Sequence, residues 1–329
     1  MEELNKKIVS TYHAFETESK FSNVSTCLLS SCNKKAILSH SQQKNGSLKY
    51  ICGQDKKVYA LRDSMAQSFD VKTGQVNCEF VPTPISKASR YLGVCDEHDT
   101  SLFKVIENCG FEHITEEQVA ALYYRSMSYE YFRKKREVER NKYLWDKIGL
   151  ELPFHAQIDF YKFYLWQKDY YDNTVKLQLS EIDKIISGGK YNELCHYKIE
   201  IDKNLGVSCS AMINMHLDRY FEFLDVYDDY IPSFSFNVIP FKDKTYIILT
   251  WLKKNDKFMK DILLYSGFDF DNFLNRLVFC ESEDVCVNPT LWESIDDETK
   301  KKIYNNMSHP YQRGALDLED VPIVLRAAP

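Results

Sequence analysis

Long hydrophobic runs are missing from this sequence. No apolar stretch reaches the roughly 20 residues that a membrane-spanning helix needs, so no helical membrane anchor is expected. Glycine and proline are scarce, at 11 and 9 in 329 residues, and low-complexity tracts and long internal repeats are absent with them. A basic excess is missing too. The net charge is -6, which argues against a chain uniformly coated for nucleic acid and leaves room only for a local basic stripe. There is no Walker loop, no dinucleotide-binding glycine fingerprint and no Gly-x-Ser-x-Gly elbow. The opening residues, MEELNKKIVSTYHAFE, carry acids and no apolar signal-peptide core, so a cytoplasmic location is expected. The sequons at Asn23 and Asn45 then carry no glycan meaning.

Cysteine, by contrast, is present ten times, with six between Cys27 and Cys109. In a cytosolic chain such clustering favours metal binding or plain burial over disulfides. The stretch GVCDEHDTSLF sets Cys95 three positions before His98, which is half a metal site. Upstream, Cys27 and Cys32 are separated by four residues, within the range used by structural zinc turns. Together they form a Cys₃His set. Zinc favours it because thiolates are soft, negatively charged ligands that suit tetrahedral geometry. The 62 residues between the two pairs exceed a simple finger, so an insertion must be accommodated. Cys52, Cys78 and Cys109 read as core residues by default, although Cys52 or Cys78 could replace one ligand. Cys280 and Cys286 resemble a further pair without a second half.

The chain divides by texture. Residues 1–20 read as a helix or arm. Residues 21–110 hold short strands and turns, such as 57–61 and 76–81, then a helix capped by Thr100. Thr115 and Gln118 fit a capping box that opens a helix running to about Trp145. Pro153 opens a second long helix, to about Ile186. Its apolar positions Phe160, Phe163, Leu165, Val175, Leu179, Ile182 and Ile186 predict one buried stripe ended by Gly188-Gly189. Beyond it, ELCHYKIEID and GVSCSAMINMHL flank KNLG, and SFSFNVIPF and TYIILTWL flank KDK, which predicts two β-hairpins. Helices are expected at 256–265, 269–280 and 296–306. The expected class is α+β: a zinc-stapled unit over 1–112, a helical hairpin over 113–188, and an antiparallel sheet with helices over 189–329.

Between the two ligand pairs lies AILSHSQQKNGSLKYI, an apolar strand that ends on Ser39-His40. The arrangement resembles the HNH-type, or His-Me finger, nucleases over residues 27–107, about a quarter of the chain. Zinc-knuckle members of that family bracket a strand ending in the catalytic His with two ligand pairs, and a helix bearing a metal ligand follows. The resemblance implies His40 as general base and Asp99 as ligand of a catalytic Mg²⁺ or Mn²⁺, with Asn45 or Asn77 as the middle Asn. Ser39 stands where the family has an acid, His98 where it has its last Cys, and Asp99 where it has its His. The pattern is also similar to uncharacterised bacterial zinc-knuckle proteins. A neutral His can take a proton from water, and a carboxylate suits a hard divalent cation beside a phosphodiester.

Downstream, RSMSYEYFRKKREVERNKYLWDK carries Arg125, Arg133, Lys134, Lys135, Arg136, Arg140 and Lys142 among aromatics, a candidate nucleic-acid stripe. Glu130, Glu137 and Glu139 interleave with it and give the alternative of a solvated helix face. Asp225, Asp228 and Asp229 suit a cation or an acidic loop, and His196 and His216 suit strand positions. Two functions follow as expectations: nucleic-acid cleavage or binding, or a non-catalytic zinc-stapled interaction or sensor module. In the second, the helical hairpin recruits a protein partner or a second copy.

Overall fold

A computed structural model describes residues 2–19, 26–61, 69–70, 75–76, 79–107, 109–214, 232–266 and 270–308. Asn77, Cys78, His216, the acids at 225, 228 and 229, and the apolar tail lie outside these residues, as does part of the strand expected at 76–81.

In chain order the elements are α1 (Glu2–Ser19), β1 (Leu38–His40), α2 (Ser47–Ile51), β2 (Lys57–Leu61), β3 (Phe69–Asp70), β4 (Gln75–Val76), β5 (Phe80–Pro84), β6 (Arg90–Leu92) and α3 (Asp96–Phe103). Then come α4 (Glu116–Ile148), α5 (Phe154–Tyr170), α6 (Lys176–Gly188), β7 (Leu194–Ile201), β8 (Val207–Asn214), β9 (Ser233–Phe241) and β10 (Lys244–Leu252). The last are α7 (Asp256–Ser266), α8 (Phe270–Arg276), β11 (Val285–Val287), α9 (Pro289–Ser294) and α10 (Asp297–Ser308). The protein is α+β. Its main sheet has seven antiparallel strands in the order β5-β2-β11-β8-β9-β10-β7. β2 and β5 come from the N-terminal third and join through β11, so one sheet runs across both ends of the sequence.

The alternation along β10 shows why the sheet is buried on both faces. Ile247, Leu249 and Trp251 point to one side, where they pack with Met259, Ile262, Leu274 and Trp292 of the C-terminal helices. Tyr246, Ile248 and Leu252 point to the other, against Ala120, Tyr123 and Met127 of α4. Each fully buried side chain of this size contributes about 1.5–3 kcal/mol, so the three layers hold the fold through area rather than any one contact. The β9–β10 hairpin forms as expected, its turn set by Lys242 at φ 57°.

The other expected hairpin does not form. β7 pairs with β10, and β8 pairs with β9 and β11, so KNLG crosses the sheet instead of closing a turn. Local turn chemistry lost to the better burial of β8, whose Cys209, Ala211 and Ile213 face one core and Met212 the other. The helix assigned to a Thr100 cap starts earlier, at Cys95, with Asp96, Glu97 and Asp99 in its first turn where the positive end of the dipole favours them.

The capping box at Thr115 is present in full. The Thr115 side chain accepts from the Gln118 backbone N–H, and the Gln118 side chain accepts from the Thr115 N–H at 2.9 Å. Thr115→Ala is expected to cost about 1 kcal/mol in urea unfolding, while Thr115→Ser stays within a few tenths.

The second long helix runs from 154 to 188, but its stripe is broken. A π-turn at Tyr171–Val175 inserts one extra residue and rotates everything after it. Val175, Leu179 and Ile182 are buried, whereas Phe163 and Leu165 on the other side of the π-turn face outward.

Candidate metal centre and the His40 pocket

The chain from Thr26 to Lys35 folds back on itself, closed by a bridge between those two residues and by Cys27 N–H donating to the Lys34 carbonyl at 2.8 Å. The Lys34 N–H points at the Cys32 sulfur at 3.4 Å. Next comes β1, which pairs antiparallel with β6: Leu38 with Leu92, Ser39 with Tyr91, and His40 with Arg90. After β6 the chain reaches Cys95 and enters α3. The order is therefore a cysteine turn, two antiparallel strands and a helix whose first turn carries the second ligand pair. Leu28 and Ile37 donate to the carbonyls of Gly93 and Val94, which ties the two halves together across the long insertion. A Lys34–Glu97 ion pair adds a surface clasp.

This folding brings all four expected ligands to one point. His98 Nδ1 lies 3.4 Å from Cys27 Sγ and 3.3 Å from Cys95 Sγ, and Cys32 Sγ lies 3.8 Å from Cys95 Sγ. All four donor atoms fall within 4.8 Å of one another. A tetrahedron with metal–sulfur bonds of about 2.3 Å has edges of about 3.8 Å, and slightly shorter sulfur–nitrogen edges. The cluster has that size, so it could hold a metal ion with little rearrangement. Cys27 and Cys95 are buried, beside Leu29, Phe103 and the α4 and α6 core. Burial pushes the Cys27 thiol up to about 11. At Cys95 burial works in the same direction, but hydrogen bonds from the His98 backbone and the Cys32 and Cys27 thiols outweigh it and pull the pKa down. Cys52 and Cys109 are not ligands: each thiol donates to a carbonyl one turn back, of Lys49 and Val105.

His40, at the end of β1, is half-buried. The Ser86 backbone lies beside its ring, and Nε2 is buried with no hydrogen-bond partner among the described residues. Burial first, then the positive charges of Lys44 and Arg90, lower its pKa to about 4; the Ser86 backbone opposes this, and Arg125 adds the smallest lowering contribution. Lys44 lies in the loop after His40. Arg90 arrives by strand register from 50 positions away, which is why no local signal announced it.

Beside His40, Ser41 Oγ and Gln42 Nε2 donate to the buried Asp284 carboxylate, Gln42 at 2.9 Å. A small cavity follows, lined by Gln42, Gln43, Leu122, Arg125, Asn237 and Val238, which His40 does not line. Asp284→Ala would remove the carboxylate that Ser41 and Gln42 share, leaving them the Ser89 and Asp284 carbonyls, with an expected loss of about 1–2 kcal/mol in denaturant unfolding. Asp284→Asn, which keeps an acceptor oxygen, is expected to lose about half of that.

Asp99 sits in the first turn of α3, its N–H donating to Cys95 at 2.8 Å. No hydrogen bond links it to His40, and the Cys₃His group is the one cluster of three or more candidate metal ligands among the described residues. Asn45, in the loop before α2, shares no hydrogen bond with His40.

The basic stripe of α4 is engaged inside the protein. Arg125 is buried, bonds Glu107 at 2.6 Å and stacks over Phe103. Arg133 pairs with Glu283 and Glu137, and Lys134 with Glu137 at 3.1 Å. Arg136 is buried against Glu16, and Arg140 lies over the Tyr12 ring at 4.9 Å. Lys135 pairs with Glu139, and Lys142 with Asp146. Of the expected stripe, Arg125 alone acts on His40, and it does so together with Lys44 and Arg90, which the motif reading missed. No helix is long and apolar enough to cross a membrane among the described residues. No family model, no curated protein and no solved structure matches this chain.

Proposed function

We propose that the Cys₃His cluster holds structural zinc, and that the hairpin it staples handles a phosphodiester at His40, with hydrolysis as the reaction. The donor set and the tetrahedral spacing support zinc over harder metals. One observation carries the chemistry: a half-buried imidazole whose Nε2 has no hydrogen-bond partner among the described residues, in the field of Lys44 and Arg90 with a smaller part from Arg125. Three cations around a neutral base are what an anionic ester and its attacking water require. Asp99 is the carboxylate that would hold Mg²⁺ or Mn²⁺ near the leaving oxygen. The reading requires the covering of Nε2 to yield when substrate docks, and His40 and Asp99 to reach one phosphate.

The test is cleavage of single- and double-stranded DNA and RNA by zinc-loaded protein with Mg²⁺ or Mn²⁺, read alongside His40→Ala. Cutting that depends on His40 supports the proposal. Nucleic acids left both unbound and uncut would favour the second reading, a zinc-stapled interaction module. That alternative draws on the ion pairing of Arg133 and Arg136 within the chain, which leaves fewer free cations on the expected nucleic-acid face.

A further inference from the structure

Helix α5 has no buried residue along its 17 positions, although it is rich in aromatics. One face rests on α4 through Phe160 stacked on Trp145 and Gln167 bonded to Asn141. Away from that face lie Phe154, Ile158 and Leu165, exposed by 76%, 39% and 44%, with Tyr161 (42%) completing spacings of four, three and four residues at the border, its ring 4.9 Å from Trp145. That is the stripe of a helix made to meet another helix. The π-turn at Tyr171–Val175 adds one residue and so returns Leu177, 59% exposed, to the same stripe.

We propose that this stripe is the interface of a homodimer, in which α5 and the start of α6 pack antiparallel on the same segment of a second copy, about a two-fold axis between Leu165 and Trp166. That axis brings the Leu165 side chains of the two copies together at the centre and sets Phe154 against Leu177 of the second copy. It also brings Lys162 of each copy to Asp169 of the other. The two side chains are seven residues apart in one chain, about 10 Å along the helix, too far to pair with each other. Lys162 forms no ion pair among the described residues, and Asp169 accepts only from Asn173, at 2.7 Å. The charges flanking the stripe are thus self-complementary, which a second copy satisfies and an unrelated partner need not. A polyanion fits poorly, because the nearest other cation, Lys168, is held by Asp172 at 2.7 Å. The stripe from 154 to 177 is about 36 Å long and about 10 Å wide. Two such surfaces bury about 700 Å², the size of a weak, transient contact, so the dimer dissociates in the range of tens to hundreds of micromolar.

Sedimentation velocity of the full-length, metal-loaded protein across tens to hundreds of micromolar tests this. Wild type should show a concentration-dependent monomer–dimer equilibrium. The double variant Ile158→Glu/Leu165→Glu should remain monomeric, with unchanged circular dichroism and metal content. Lys162→Asp and Asp169→Lys should each weaken the dimer about tenfold, because two attractive pairs become repulsive. Combining them should restore it. A wild-type monomer throughout, whether the stripe is bare or covered by another part of the chain or another protein, overturns the proposal. So does a dimer that survives the glutamates, or a combined reversal that fails to restore association.

Discussion

Cys95→Ser is expected to release the bound metal and to lower the stability of the protein by several kcal/mol, the largest single-site effect predicted for this chain. The thiol lies within 3.8 Å of the Cys32 sulfur and 3.3 Å of the His98 nitrogen, so its loss opens one corner of the tetrahedron. Metal binding to such a site is folding free energy, on the order of 10–16 kcal/mol in isolated zinc fingers. The loss here should fall short of that, because Cys27, Leu29 and Cys95 also pack on the α4 and α6 core, and the Ser30 N–H bonds the buried Asp183 at 3.1 Å. Elemental analysis should give one zinc per wild-type chain and none for the variant, with a matching fall in the melting transition. Cys109→Ser, at a thiol outside the cluster, should keep both. Acid should reproduce the effect: protons compete with metal for thiolates, and burial already raises the Cys27 pKa to about 11 without metal. Wild-type protein that purifies without stoichiometric metal, or a Cys95→Ser variant that melts as wild type does, would refute the site.

His40→Ala should lower phosphodiester cleavage by roughly 10²- to 10⁴-fold while zinc content stays at one per chain. The pH dependence distinguishes a base from a structural histidine. With its folded pKa lowered to about 4, against about 6.5 unfolded, His40 stays neutral in the native state where the unfolded chain takes up a proton. Its contribution is a cost that grows as pH falls: stability is unaffected above about pH 6.5 and declines between 6.5 and 4. His40→Ala should flatten that decline. Catalysis adds a second signature. A base of pKa 4 has its lone pair free but little affinity for a proton. A phosphate docked among Lys44, Arg90 and Arg125 would offset the charge part of the depression, leaving the larger part due to burial, and so move the pKa upward. An NMR titration of His40 with and without a non-cleavable dinucleotide should therefore show an upward shift. An unchanged titration, together with uncut DNA and RNA, would remove the catalytic reading and leave zinc in place.

The four candidate metal ligands were legible because their chemistry is local. Cys27 with Cys32, and Cys95 with His98, are pairs short enough for a turn and a helix start to present, and each pair reads alone. The capping box at Thr115 and the β9–β10 hairpin were legible for the same reason. Harder to read was everything decided by which surfaces meet. KNLG has the residues of a hairpin turn, yet β7 and β8 lie apart in the sheet, since pairing is settled by burial on both faces. The basic residues of α4 were visible as a pattern, but only packing showed that Arg136 turns to Glu16 and Arg133 to Glu283.

The sequence by itself determined the four donors and the α+β class, because ligand type and hydrophobic period are properties of neighbouring residues; His40 entered as candidate base only through the family resemblance. Tertiary structure alone decided that the donors converge across 62 intervening residues, and that Arg90 reaches His40 by strand register. It also decided that the aromatic stripe of α5 faces outward beyond a π-turn. These outcomes depend on contacts between segments far apart in the chain, where the free energy of burying a surface outweighs what any local pattern prefers.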